Sequence, residues 1–329
     1  MKDFDVKKKI LSLFGENEGG FVSGEEISRL LGFSRAGVWK HINKLRAEGY
    51  VVEAVPHLGY KLVSSPDRMH GYNIVSGLDT DVIGKKDIYY YENIDSTNEK
   101  AYELAELGAP EGTLVVAEKQ TKGKGRAGRR WVSPSGCGIY LSIILRPEME
   151  MSGIQAITLI TALAVIKAVK AACGLEAEMK WPNDVFAGNR KLCGILTEIR
   201  AQPDSVDFIV LGIGVNVNTP AAKLPPEGTS LKIECGRAVD RSGLLKRLLR
   251  ELEKEYLRYK EEGFAPFRQE CRDISSVLGR QVKISEHHRS VEGTAVDIDE
   301  KGALLVRDDS GLIQRVFSGD VIIKDQGAF

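Results

Sequence analysis

The N-terminal part of the chain alternates apolar and polar positions in a pattern that predicts short helices followed by strands. Ser23 begins a capping box with Glu26, and the helix that it starts should end near residues 31–32. Ser34 is the predicted N-cap of a second helix over residues 35–48. Two short helices joined by a tight turn are typical of a helix-turn-helix unit.

Two predicted strands, residues 50–55 and 60–63, follow this unit and are joined by a short turn, like the wing of a winged helix. One face of the second helix is apolar. The opposite face is basic and carries the residues predicted to bind DNA: Ser34, Arg35, Ala36, Lys40, Asn43 and Lys44. The pattern favours insertion of this helix into a DNA major groove. The alternative is a winged-helix interaction module whose basic face is only solvated.

A polar, proline-bearing segment at residues 64–67 indicates a linker, and helices and strands are mixed after it. The predicted strands are residues 88–91, 113–117, 139–145, 192–199 and 208–215. The predicted helices are residues 97–107, 154–172 and 243–262, and each ends close to a glycine. Consecutive strands without a helix between them predict an α+β fold with a mixed or antiparallel sheet, not a doubly wound one.

Short strands continue to the end of the chain, at residues 281–284, 292–298, 303–308 and 312–317. Their spacing and glycine-bearing turns predict a small β-barrel. We therefore divide the chain into three domains, residues 1–66, 67–274 and 275–329.

Composition narrows the possible classes of protein. Lys plus Arg and Asp plus Glu number 46 each, so any site for a polyanion must be a local patch. The five cysteines are scattered without metal-ligand spacing, which argues for a reducing compartment and against zinc or disulfides: Cys137, Cys173, Cys193, Cys235 and Cys271. The start of the chain lacks a signal-peptide pattern, and the apolar segment 154–173 contains two lysines. We expect a cytoplasmic protein that does not enter a membrane.

The most informative segment is residues 118–131, which contains a glycine-rich loop with five cations: Lys122, Lys124, Arg126, Arg129 and Arg130. Gly123, Gly125 and Gly128 formally match a dinucleotide fingerprint. That interpretation fails because the residues that follow cannot continue a helix, as a Rossmann loop requires. A Walker A ending is also absent.

Clustered cations on a loop repel each other unless an anion joins them, by about 1 kcal/mol in water and about 4 kcal/mol at an effective dielectric of 20 for a pair about 4 Å apart. We therefore expect this segment to close over an anionic ligand. The alternatives are a solvated surface loop or a clamp for nucleic acid.

Five motifs in order resemble the family of bifunctional biotin–protein ligases and biotin operon repressors, over nearly the whole chain. The motif residues are Ser96, Thr97 and Asn98; Gln120, Gly123, Lys124, Gly125 and Arg126; Lys180 to Asp184; Lys191, Leu192, Gly194, Ile195, Leu196 and Glu198; and Gly212 to Asn216. The resemblance implies a central domain like a class II aminoacyl-tRNA synthetase, with a mixed sheet and helices, and a C-terminal SH3-like barrel. Lys124 stands where many relatives carry arginine. Lysine keeps the positive charge but cannot form the paired hydrogen bonds of a guanidinium group.

The resemblance also implies a two-step reaction, in which biotin and ATP form biotinyl-5′-AMP with Mg²⁺ on the phosphates, and biotin then passes to a lysine of a biotin carboxyl carrier protein. Lys191, Arg126 and Asp184 are the candidate catalytic residues. The candidate ligand-binding residues are Ser96, Thr97, Asn98, Gln120, Gly123, Lys124, Gly125, Arg126, Trp131, Lys191, Gly194, Gly214 and Asn216.

Several of these residues have a structural alternative. Ser96 or Thr97 could be only a helix N-cap, Trp131 a core residue, and Asp184 a turn residue. The glycines could mark bulges. By the logic of the family, adenylate binding promotes a homodimer that spans two operator half-sites, and the carrier protein competes for the same surface. Two other functions stay open: a repressor with an inactive ligase-like domain, and a lipoate-type ligase.

Overall fold

A computed structural model describes residues 3–17, 20–64, 66–69, 71–75, 77–201, 205–286 and 289–324. Ser65 of the predicted linker lies outside the described residues. The chain forms two compact units, Met1–Asp79 and Thr80–Phe329. The three-domain division at residues 66 and 274 stays a prediction.

The first unit contains four helices and one hairpin among its described residues: α1 (Asp3–Glu16), α2 (Gly24–Leu31), α3 (Arg35–Ala47), β1 (Val51–Val55), β2 (Gly59–Ser64) and α4 (Gly71–Val75). The predicted caps are confirmed, because Ser23 Oγ accepts from Glu26 N and Ser34 Oγ accepts from Gly37 N. The antiparallel pair β1–β2 is the predicted wing. Neither α1 nor α4 was predicted as a separate element.

One glycine fixes how the wing meets the helices. Gly59 has φ 109°, and a Cβ added there would collide with the carbonyl oxygen of Val22. That carbonyl accepts a hydrogen bond from Tyr60 N at 2.9 Å. Only glycine lets the two backbones approach so closely.

The second unit is built on a seven-stranded sheet in the order β3-β4-β5-β9-β8-β7-β6. Its strands are β3 (Ile88–Tyr91), β4 (Leu114–Ala117), β5 (Ile139–Leu145), β6 (Glu178–Lys180), β7 (Asp184–Ala187), β8 (Arg190–Ala201) and β9 (Val206–Val215). Only β3 and β4 are parallel, so the predicted α+β class with a mixed sheet is confirmed. The short strands β6 and β7 were not predicted.

The helices of this unit are α5 (Thr97–Glu106), α6 (Ile154–Cys173), α7 (Leu231–Cys235), α8 (Arg241–Glu262) and α9 (Phe267–Asp273). Among the described residues, one helical stretch, Met151–Cys173, is long and apolar enough to span a membrane. Here it packs against α8, and Lys167 pairs with Glu255 and Glu270 at 2.7 and 2.6 Å. These are the contacts of a core helix.

Helix α8 also holds the first residues of the second unit. The buried carboxylate of Glu253 accepts hydrogen bonds from the backbone N–H groups of Asp81, Val82 and Ile83, at 2.5 to 2.8 Å. Charge-assisted bonds of this kind are about twice as strong as neutral ones. The segment that enters the unit is therefore fixed to α8.

The C-terminal part forms a five-stranded antiparallel sheet, here called the C-terminal sheet, in the order β13-β12-β11-β10-β14. Its strands are β10 (Gln281–Glu286), β11 (Arg289–Ile298), β12 (Leu304–Arg307), β13 (Ile313–Val316) and β14 (Asp320–Ile323). Four of them correspond to the predicted strands, and β14 is additional. Trp181 Nε1 donates to Gly302 O at 3.0 Å, which ties this sheet to the segment between β6 and β7.

Candidate functional site

A cavity of about 420 Å³ in the second unit collects the predicted site residues. It is lined by Ser96, Thr97, Asn98, Gln120, Lys124, Gly125, Arg126, Trp131, Asp184, Lys191, Gly194, Gly214 and Asn216. Gly123 is not part of the lining. Its carbonyl accepts from Trp131 N at 2.8 Å, so Gly123 shapes the loop, and its part in ligand binding stays a prediction.

A buried network of uncharged polar groups forms one end of the cavity. Gln120 Oε1 accepts from Thr97 N at 2.9 Å and from Thr97 Oγ1 at 3.1 Å, while Gln120 Nε2 donates to Ser133 Oγ at 2.9 Å. Ser142 Oγ lies 2.8 Å from Thr97 Oγ1 and 2.6 Å from Asn98 Oδ1. These partners fix the orientation of each amide and hydroxyl before any ligand arrives.

Ser96 has the structural role that the sequence left open, and because it also lines the cavity its part in ligand binding stays a prediction. Its side chain caps α5 by accepting from Glu99 N at 3.4 Å. Sequence reasoning missed Ser142, although a serine inside the otherwise apolar strand β5 was a signal. A fully buried hydroxyl needs a partner, and this one has two within reach.

Two strand glycines make room for the indole of Trp131. Gly194 and Gly214 are direct partners in the β8–β9 pair. A Cβ added to Gly194 would lie 2.9 Å from the Trp131 ring, and one added to Gly214 would lie 2.5 Å from Trp131 Nε1. Among the described residues, this buried indole N–H has no hydrogen-bond partner. Trp131 therefore lies directly on the sheet, and its predicted contact with adenine stays a prediction.

An ion pair crosses the cavity between β7 and β8. Lys191 Nζ is 2.7 Å from Asp184 Oδ1, and both side chains are about a quarter exposed, at 27% and 21%. Lys191 Nζ also lies 5.5 Å from the centroid of the Trp131 ring. Asp184 is the first residue of β7. Both charges are thus on strands, where the backbone is rigid.

The cations of the glycine-rich loop are paired with acids from distant segments. Lys122 contacts Asp95 at 2.8 Å, Lys124 contacts Glu99 at 2.9 Å, and Arg129 contacts Asp320 of β14 at 2.6 Å. No local sequence pattern indicates these counter-charges, because the acids are far from the loop along the chain. The expectation that the loop needs an anionic ligand to offset its charge is corrected accordingly, since the protein supplies part of the neutralisation.

Arg126 reaches between the loop and two other parts of the site. Its Nη1 donates to Asn183 Oδ1 at 3.0 Å and to Gly319 O at 3.4 Å. Burial lowers the pKa of the Arg126 guanidinium, and Asp320 and Asp184 oppose this shift. A cation kept partly out of water by neutral partners is well placed to gain from an anionic ligand.

Lys180 is a further cation of the cavity to which sequence reasoning assigned no role. Its Nζ lies 5.0 Å from the centroid of the Phe186 ring, and burial lowers the pKa of its ammonium group. Lys180 opens the Lys-Trp-Pro-Asn-Asp motif, which was the available signal. The cavity lining therefore includes six cationic side chains: Lys124, Arg126, Arg129, Arg130, Lys180 and Lys191.

In the first unit, α3 presents the predicted DNA-binding face. Arg35, Ala36 and Lys40 are exposed, whereas Asn43 and Lys44 are half-buried. Ser34, also exposed, uses its side chain as the helix cap. Sequence reasoning missed Trp39, which is 58% exposed on the same helix. The DNA contacts themselves stay a prediction.

Comparisons with known proteins agree with this geometry. Residues 90–216 match the biotin/lipoate A/B protein ligase family, residues 277–324 match the biotin protein ligase C-terminal domain, and residues 6–61 match a helix-turn-helix domain. The structure is similar to the biotin protein ligase from Aquifex aeolicus in complex with biotin and ATP, with a TM-score of 0.63 and 31% identity, over 73% of this chain and 99% of that one. Fold and site thus define a biotin protein ligase.

Two curated relatives match over nearly their full length. The bifunctional ligase/repressor BirA of Bacillus subtilis is 39% identical over 320 residues, which cover 96% of this chain and 98% of that protein. The protein of the same name from Escherichia coli is 32% identical over 327 residues, covering 98% and 99%. This chain belongs to the family of bifunctional biotin ligase/repressors. The predicted family, fold class and enzyme class are confirmed.

Proposed function

We propose that this chain joins biotin to the lysine of a biotin carboxyl carrier protein at the expense of ATP, and represses transcription in response to biotin. In the first step a biotin carboxylate oxygen attacks the α-phosphorus of ATP, and pyrophosphate leaves. In the second step the carrier amine attacks the carbonyl carbon of biotinyl-5′-AMP, and AMP leaves. The observation that carries the proposal is one cavity in which a buried neutral network meets a cluster of six lysine and arginine side chains.

The neutral network suits the ureido ring of biotin, which has N–H donors and one carbonyl acceptor on an apolar bicycle. Thr97 and Gln120 offer hydroxyl and amide groups that are already oriented. Apolar strand residues and the glycines Gly194 and Gly214 enclose the remainder. A few oriented polar groups in an apolar pocket give specificity for a small molecule.

The cations of the cavity can offset the repulsion between the biotin carboxylate and the phosphates of ATP. A carboxylate and a phosphate about 4 Å apart repel by about 4 kcal/mol at an effective dielectric of 20. Lys191 can exchange its partner Asp184 for the biotin carboxylate, and Arg126 and Lys124 can turn to the phosphates. Asn216, which is 4% exposed in the lining, offers an amide to the same phosphates. Cations held in place in a partly dry site stabilise charge as it develops.

Magnesium is proposed as the companion of ATP. Among the described residues, no group of three or more His, Cys, Asp or Glu side chains could hold a metal ion. Mg²⁺ is usually held by one or two carboxylates together with substrate phosphates, and the carboxylate of Asp184 beside Lys191 could serve as one of them. When bound, the ion would neutralise phosphate charge.

The regulatory part of the proposal rests on the free edge of β8. This strand pairs with β7 only as far as Gly194, and within the described part of the chain no strand pairs with residues 196–201 on the side away from β9. Exposed strand edges are templates for pairing with another chain. We propose that two copies pair here as a symmetric dimer, and that the carrier competes for the same edge.

A contact links this edge to the ligand loop. Lys124 lies 4.0 Å from Glu198 of β8, in addition to its pair with Glu99. An adenylate that draws Lys124 to its phosphate would release Glu198 and change the charge at the edge. Sedimentation should therefore show more dimer, and operator binding should tighten, when biotinyl-5′-AMP is added. A monomer that does not respond to the ligand would overturn this part alone.

Further parts of the proposal concern the organisation of the chain. Residues 1–66 bind operator DNA through α3, residues 67–274 catalyse ligation, and residues 275–329 complete the site. A dimer presents two α3 helices to two half-sites. We propose the cytoplasm as its location.

One assay tests the central proposal. The protein is incubated with labelled ATP and either biotin or lipoate, and pyrophosphate release is measured. Pyrophosphate release is expected with biotin but not with lipoate. Lys191→Ala should abolish this release. Lys223→Ala is the control, at an exposed lysine outside the cavity, and should leave the release unchanged. Release with lipoate alone would indicate a lipoate-type ligase, and no release with either acid would leave a repressor that only senses its ligand.

A further inference from the structure

A single buried arginine connects the two ends of the segment that carries the glycine-rich loop. This segment leaves β4 at Glu118 and rejoins the sheet at Gly138, just before β5. Arg241, the first residue of α8, donates from Nη1 to Glu118 Oε2 at 2.8 Å and to Gly138 O at 3.1 Å. One guanidinium therefore bridges the start and the end of a 21-residue excursion.

The placement of this arginine is unfavourable by itself. Its side chain is 1% exposed, and that of Glu118 is 8% exposed. Removing such charges from water costs several kcal/mol each. Proteins in which a buried ion pair is replaced by apolar residues of similar volume are often as stable as the original or more stable. A cation in the first turn of a helix also opposes the helix dipole. Stability alone is therefore a weak reason for this pair.

The pair lies next to groups that we assign to the biotin pocket. Glu118 N donates to Tyr91 O at 3.0 Å, and Glu118 O accepts from Gly136 N at 3.3 Å. Two residues further on, Gln120 holds Thr97. A shift of Glu118 would move Gln120 and the base of the cationic loop together.

We propose that Arg241 is a positioning residue for adenylation. It holds both ends of the loop segment, so that Gln120 and the loop cations are correctly placed relative to biotin and ATP. The inference rests on the proposed ligase function. Arg241 itself is not in the cavity lining, so it acts through Glu118 and Gly138. Errors of about 1 Å in such supporting contacts are enough to cost about a hundredfold in rate.

Two variants and one control separate positioning from stability. Arg241→Lys keeps the charge but loses the planar guanidinium fork. The double variant Glu118→Leu/Arg241→Met removes both buried charges and should fold. Glu255→Gln is the control, because it removes another buried carboxylate of α8, which pairs with the partly exposed Lys167 at 2.7 Å, away from the loop. Pyrophosphate release gives KM for biotin and ATP and kcat, and urea unfolding gives stability.

We expect KM for biotin and ATP to rise at least tenfold in both Arg241 variants. This should hold even if the double variant unfolds at the same midpoint urea concentration as the wild-type protein. Glu255→Gln should lose stability and keep KM within twofold. The proposal is overturned if the double variant has wild-type KM values, or if activity falls in step with stability in all three proteins.

A second measurement does not depend on ligase activity. Trypsin can cut the ligand-free loop at its lysines and arginines, from Lys122 to Arg130. The two Arg241 variants should be cut there at least fivefold faster than Glu255→Gln, even if the wild-type protein proved to release no pyrophosphate with biotin. Equal cleavage rates would overturn the proposal while leaving the ligase assignment untouched.

Discussion

Adding one methyl group at Gly214 should disable the pocket without unfolding the protein. The backbone of Gly214 is held between Tyr140 of β5 and Gly194 of β8, so it cannot retreat. The new Cβ would lie 2.5 Å from Trp131 Nε1, whereas ordinary contacts are about 3.5–4.0 Å. The indole must therefore move by about 1 Å. Overpacking of this kind costs about 1–3 kcal/mol.

This cost should fall on ligand binding, because Trp131 is on a loop that can move away from the sheet. At 1.4 kcal/mol for each factor of ten, Gly214→Ala should weaken binding of a non-hydrolysable biotinyl-adenylate analogue about 5- to 150-fold. Titration calorimetry measures the affinity, and thermal unfolding of the ligand-free protein should change little. The same substitution in a Trp131→Ala background should cost less than twofold. An equal loss in both backgrounds would refute the reasoning, because the methyl group would then act on the ligand directly.

Three other outcomes are expected. Asp184→Asn should slow transfer from preformed biotinyl-5′-AMP about a hundredfold, as misplacement of an attacking group by about 1 Å does, if its carboxylate orients the carrier amine; an unchanged transfer rate would remove Asp184 from the site. Glu253→Gln should lower the free energy of unfolding by about 2–3 kcal/mol in urea, because its backbone donors lose charged partners; the exposed Glu261→Gln is the control, and equal small losses would contradict the argument. Trp39→Ala should weaken operator binding about 30-fold, equivalent to about 2 kcal/mol of buried aromatic surface; Leu30→Ala, which changes a similarly exposed apolar residue on α2, should not, and an intact affinity would exclude a DNA contact by Trp39.

Elements with a strong local signal were predicted well. Neighbouring residues alone indicate the helix caps Ser23 and Ser34 and the long apolar helix α6. The structure places these features within one or two residues of the predicted positions. The strands β6 and β7 were missed because each has only three or four residues and Pro182 separates them. Such strands form because β8 offers an edge to β7, and β7 in turn offers one to β6.

Site residues that belong to local motifs could be predicted from the sequence. Ion pairs between residues far apart along the chain could not. The motifs identified Lys191 and Gln120, which the structure brings into one cavity. The pair between Arg129 and Asp320 joins residues 191 positions apart, and no local pattern indicates it. The same holds for the contact of Arg241 with Glu118, which only the packing of α8 creates.

The contacts of Arg126 with Gly319 and of Arg129 with Asp320 have a consequence for synthesis of the protein. Domains fold as units, N-terminal ones first, while the chain is being made. The helix-turn-helix unit and the seven-stranded sheet are complete long before residue 320 leaves the ribosome. We therefore expect a nascent chain to be able to fold its DNA-binding unit before it can consume ATP, because nucleotide turnover must wait until residues 319 and 320 have emerged and contact the loop.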